Sequence, residues 1–105
     1  MRTPQDRLDD YVEAVLSLVD KVPRGRVTTY GALADALNEE YGGGPRQAAA
    51  VMARHGSAVT WWRVVRADGT LPDRLADEAR QAYLAEGTPL RPGGAVDVAS
   101  ALWLP

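Results

Sequence analysis

Residues 28–54 read TTYGALADALNEEYGGGPRQAAAVMAR, and the architecture turns on where this run is interrupted. Thr29 has a side chain suited to capping a helix, and Leu33, Ala34 and Leu37 follow at helical spacing, so a helix is predicted to begin there and to stop at Gly42-Gly43-Gly44. Pro45 then opens a second, short helix of small residues, Ala48, Ala49, Ala50 and Ala53 among them, which can lie close against another backbone. Two helices joined by a brief glycine-bearing turn, the second with Arg46 and Gln47 near its amino end, match the helix-turn-helix arrangement in which the second helix enters a DNA groove.

Upstream, Thr3-Pro4-Gln5-Asp6 reads as a capped helix start, and Leu8, Tyr11, Val12, Val15, Leu16 and Val19 form one apolar stripe that ends before Pro23-Arg24-Gly25. Arg26-Val27-Thr28 is a short link to the next helix. Downstream, Val59-Thr60-Trp61-Trp62-Arg63-Val64-Val65 is the most β-prone stretch, and Asp68-Gly69 supplies a turn, so a small hairpin or an ordered loop is expected. Pro72-Asp73 opens a fourth helix with Leu75, Ala79, Ala82, Tyr83 and Leu84 at its apolar positions, closed at Gly87. A loop runs from Thr88 to Gly94, and Val96 to Leu104 is predicted to form a last short helix over the core. The fold class is α/β and mostly helical, with residues 1–105 as a single DNA-binding domain.

Composition removes much chemistry. With 105 residues, 46% hydrophobic and 25% charged, the chain can bury one small core and little more. No apolar run approaches the roughly 20 residues of a membrane helix, and Asp6, Asp9 and Asp10 stand where a secretory signal would be basic and then apolar, so a cytoplasmic protein with no membrane partner is expected. The absence of cysteine excludes thiol chemistry, and a single histidine, His55, excludes a multi-histidine metal site; no metal or other cofactor is implied. The net charge of −2 is unevenly spread. Lys21, Arg24 and Arg26, then Arg46, Arg54, Arg63 and Arg66, occupy stretches free of acids, so a basic face suited to phosphate is available on a slightly acidic molecule.

Four pieces of sequence, in order, resemble the carboxy-terminal domain of O6-alkylguanine-DNA alkyltransferase, and especially its cysteine-free relatives, the alkyltransferase-like proteins. They are Val22-Pro23-Arg24-Gly25-Arg26-Val27-Thr28-Thr29-Tyr30-Gly31, Pro45-Arg46-Gln47 through Met52, Trp61-Trp62-Arg63-Val64-Val65 with Asp68-Gly69-Thr70-Leu71, and Leu84-Ala85-Glu86-Gly87. The resemblance implies a winged-helix/helix-turn-helix fold. In the alkyltransferases the reactive motif is Pro-Cys-His-Arg; here Thr60-Trp61-Trp62-Arg63 stands in its place, and an indole has no nucleophilic lone pair with which to accept an alkyl group. Relatives of this kind generally keep the proline and the histidine of the motif, whereas this chain has Thr60 and Trp62. The glutamate that the histidine would otherwise meet is matched by Glu86.

What the resemblance implies is a protein without enzymatic activity, a monomer, that binds double-stranded DNA containing O6-alkylguanine, turns the damaged base into an aromatic pocket and flags it for nucleotide excision repair proteins. Trp61, Arg74, Tyr30 and Val64 are then expected at the lesion pocket, with Trp61 as its wall, and Trp62 is expected in the core because neighbours in an extended chain face opposite ways. Arg46 would enter the minor groove, only about 6 Å wide, and take the place of the rotated base, with Ala48 keeping the helix slim; Tyr30, Gln47, Thr29 and Arg63 complete the expected DNA contacts. Other readings stay open at the level of sequence. Arg46, Gln47 and Arg54 would also serve a sequence-specific regulator in the major groove, Glu86 or Asp68 could act as the base of a residual enzyme, and Trp62 could have closed the pocket of a family member that binds DNA or protein only.

Overall fold

Helix α1 (Pro4–Lys21) starts where Thr3 and Asp6 close a reciprocal cap: the Asp6 N–H donates to the Thr3 hydroxyl at 3.2 Å and the Thr3 N–H donates to the Asp6 carboxylate at 2.9 Å. The computed structural model describes residues 1–105. Strand β1 (Thr28–Thr29) leads directly into α2 (Tyr30–Tyr41), whose first turn is capped by the Thr29 hydroxyl, which accepts from the Ala32 N–H at 3.0 Å. After the glycine turn comes α3 (Pro45–His55), then two single 3-10 turns, Gly56–Ala58 and Trp61–Arg63. Strand β2 (Val64–Val65), α4 (Asp73–Glu86) and α5 (Val98–Ala101) complete the chain. No helix is long and apolar enough to cross a membrane.

Several expectations are corrected. Of the hairpin or ordered loop expected after Val59, the loop is what forms: only Val64 and Val65 pair, in parallel, with Thr28 and Thr29, the first of them inside what reads as a mere link. The residues before them coil tightly because packing of the two indoles overrides strand preference. Asp68-Gly69 turns without a return strand, and the Gly69 carbonyl instead accepts from the Val96 N–H at 3.0 Å. At φ +83° a Cβ on Gly69 would also collide with the Val96 carbonyl, so glycine is required there twice over. The last helix is a single turn, Val98–Ala101, framed by a parallel bridge from Leu102 to Val27 and an antiparallel bridge between Leu90 and Val96. Leu8 and Leu84 are exposed, since α1 buries only Tyr11, Val15 and Val19, and α4 turns Ala79 and Tyr83 inward.

The interior is two adjoining clusters. One joins α1, α2 and α3 through Tyr11, Val15, Val19, Leu33, Leu37, Ala48, Val51 and Met52, with Val64. The other joins Val27, Val65, Leu71, Ala79, Tyr83, Val96 and Ala101. Neighbouring β2 residues face opposite clusters, as strand geometry requires. Tyr30 and Trp61 pack against both, so these half-buried aromatics mark the seam.

Candidate nucleic-acid interface

Glu86, in the last turn of α4, has a side chain only 4% exposed, and a carboxylate so buried needs partners. Arg63 supplies the charge through an ion pair, with Nε donating to Glu86 Oε1 at 3.0 Å while Nη1 donates to the Val22 carbonyl at 2.9 Å. The Trp62 indole N–H donates to Glu86 Oε2 at 3.1 Å, and the Tyr83 hydroxyl donates to the Trp62 carbonyl at 2.6 Å. Burial pushes the Glu86 carboxyl upward, but the bonds from Arg63 and Trp62, the Arg63 charge and the Gly25 backbone together hold it below the usual carboxylate range. Burial, with the Tyr30 and Glu86 sites adding to it, pushes the Tyr83 phenol well above its ordinary value, so it stays a donor. Gly25 sits against the Glu86 carbonyl at φ +80°, and Arg24 donates to the Ala85 carbonyl at 2.8 Å, which fastens the loop after α1 to the end of α4.

Across the seam from this clamp lies an open cleft of about 500 Å³. Tyr30 from the start of α2, Trp61 from the 3-10 turn and Arg74 from the first turn of α4 line it together, although 31 and 13 residues separate them along the chain. Ala49, Met52 and Ala53 of α3 form another wall, and Arg66, Leu75 and Glu78 complete the polar and apolar rim. A volume within the roughly 300–1,000 Å³ range of small-molecule sites, walled by aromatic and apolar groups with a few polar ones, is suited to a planar heterocycle. Burial raises the Tyr30 phenol and the Arg66 charge partly opposes that, so it too is a neutral donor near pH 7. Arg74 and Glu78, one turn apart on α4, are not ion-paired, and both charges are available to an occupant.

Arg46 is exposed in the first turn of α3, three and seven residues before the cleft-lining Ala49 and Ala53, and so stands on the same side of that helix. Gln47 is also exposed but lines a groove between α3 and α1 instead. Val64 does not reach the cleft: it is fully buried in the first cluster, because the parallel pairing with Thr28 points it inward. Ala48 is likewise fully buried, one helical step away from the exposed face, and has no surface to offer DNA. The Thr29 hydroxyl is engaged as the α2 cap and the Arg63 guanidinium by Glu86 and Val22, which gives each a structural task. Trp62 lies off the cleft, and the tight turn rather than strand alternation separates it from Trp61. Glu78 and Met52 join the site without any signal in the sequence, whereas Arg66, read there only as part of a basic face, lines the cleft itself.

Residues 10–87 match the family described as the DNA-binding domain of 6-O-methylguanine DNA methyltransferase. The chain is 35% identical over 107 residues to a DNA base-flipping protein of Escherichia coli K12, covering 93% of this chain and 78% of the relative. A DNA base-flipping protein of Vibrio parahaemolyticus is 26% identical, with 93% of this chain and all of the relative covered (100%). Among solved structures, S. pombe Atl1 in complex with damaged DNA containing O6-carboxymethylguanine superposes over 100% of both chains with a TM-score of 0.75 at 23% identity, which establishes a shared fold.

Proposed function

Because the chain belongs to the alkyltransferase-like members of the 6-O-methylguanine DNA methyltransferase DNA-binding-domain family, we propose that it binds duplex DNA and holds an extruded O6-alkylguanine in the cleft beside Trp61. Rotating a nucleotide out of the stack costs a few kcal/mol. Stacking of the base on Trp61 returns roughly 1–3 kcal/mol, and the Arg74 guanidinium adds a cation that can lie on the purine face or donate to its edge. Tyr30, which lines the cleft, crowds the phosphate of the rotated nucleotide. Arg46 enters the minor groove and fills the vacated stack. No transfer follows, since an indole stands at the position of the accepting sulfur. The lesion is held, marked for nucleotide excision repair by a monomeric protein, and left chemically unchanged.

The observation that carries this reading is the convergence of Tyr30, Trp61 and Arg74 on one open cleft, on the side of α3 that bears Arg46. It also argues against a pocket closed by Trp62, which lies elsewhere. Competition between duplexes with and without one O6-methylguanine tests it. Tighter binding of the damaged duplex is expected, and equal affinity would sink the lesion reading while leaving DNA binding intact. Arg46→Ala is expected to weaken binding of the damaged duplex by tenfold or more, as about 1.4 kcal/mol lost would give.

A further inference from the structure

Trp61 and Trp62 are held very differently. The Trp62 main chain is fixed by the Tyr83 hydroxyl at 2.6 Å, and its indole N–H by Glu86 at 3.1 Å, itself locked by Arg63. Trp61, by contrast, makes no hydrogen bond through its indole and is only half-buried at the seam. A large ring in that position is oriented by contact alone, and an aromatic contact is present: the two rings meet edge to face, with centroids 5.6 Å apart and planes at 85°. That lies within the favourable separation of roughly 4.5–7 Å for such pairs.

We propose that Trp62 is a positioning residue: tied by its indole N–H to Glu86, it holds the Trp61 ring as a fixed wall of the cleft. The carboxylate at the end of α4, with no thiol to activate in this chain, is put to use in orienting an aromatic surface. A wall already fixed in the free protein spares an occupant the entropic cost of ordering it, so the tether acts on the selectivity of the cleft and not on general DNA association. The proposal deepens the lesion-binding reading and rests on it for its consequence in DNA, but the state of the Trp61 ring can be measured without DNA.

The test compares the native protein with Trp62→Phe, which keeps an aromatic edge but loses the N–H, and with Glu86→Gln, whose single carbonyl oxygen leaves Arg63 and Trp62 competing for one acceptor. Nitrogen relaxation of the indole N–H groups reports the order of each ring. In the free native protein Trp61 is expected near the rigid limit of about 0.85, and in both variants below about 0.6. The ratio of affinities for damaged and undamaged duplex is expected to fall threefold to tenfold, with undamaged duplex bound within twofold of native. A Trp61 indole that stays rigid in a folded variant overturns the proposal, and Glu86→Gln decides it if Trp62→Phe does not fold. A native protein with no lesion preference would defeat the lesion reading, while the relaxation data would still decide whether Trp62 positions Trp61.

Discussion

Glu86 joins stability to the site. Its carboxyl is held below the unfolded value of about 4.3, so it binds fewer protons folded than unfolded near that pH. The sign follows: the stabilisation is complete above the unfolded value and is lost as pH falls through the depressed folded one. Urea midpoints of the native protein are therefore expected to drop between about pH 5 and pH 3. Glu86→Ala, which strands the Arg63 guanidinium, should cost toward the lower end of about 3–5 kcal/mol at pH 7, because that side chain retains some exposure, 14%, in the pair. The variant should also flatten the acid limb. A limb equally steep without the carboxylate would show that other groups govern acid stability.

Among the helices and strands, the caps and stops are legible in the sequence and the pairings are not. Thr3, Thr29, Pro45 and Gly87 act through neighbours within a few residues, so their meaning can be read locally. The parallel pairing of Thr28 with Val64 spans 36 residues, and nothing in either two-residue strand specifies the other. The same distance explains why Glu78 has no signal in the sequence, and Arg66 only that of a basic face, at a cleft that Tyr30 and Arg74 were expected to share: each is an ordinary surface charge until the fold brings it to the seam. Thr29 shows how a local rule can decide between roles. Read by resemblance as a DNA contact, it is engaged as the cap of the helix that begins with Tyr30. Thr29→Ala should lower stability by about 0.5–2 kcal/mol in denaturant titration, while Thr29→Ser, which keeps the oxygen, should restore most of it. A phosphate contact made in addition would also weaken DNA binding by the folded alanine variant.

A net charge of −2 must be reconciled with a polyanionic partner. Arg24, Arg26 and Arg63 donate to carbonyls or a carboxylate of the protein itself, and Arg54 lines the groove beside α1. Of the twelve Lys and Arg side chains, Arg46, Arg66 and Arg74 stand on the cleft side, beside Glu78, while Asp35 on α2 and Asp9 and Glu13 on α1 line other grooves. Each phosphate neutralised in duplex DNA contributes about −0.9 to the slope of log affinity against log salt, so contacts made by these three alone give a slope of about −2.7. Affinity for undamaged duplex should accordingly be modest and only moderately sensitive to salt. Arg66→Gln should reduce the slope by about 1 if that guanidinium meets a phosphate. Arg54→Gln should leave it unchanged. A slope that responds to Arg54 and not to Arg66 would place DNA across the α1–α3 groove instead of the cleft.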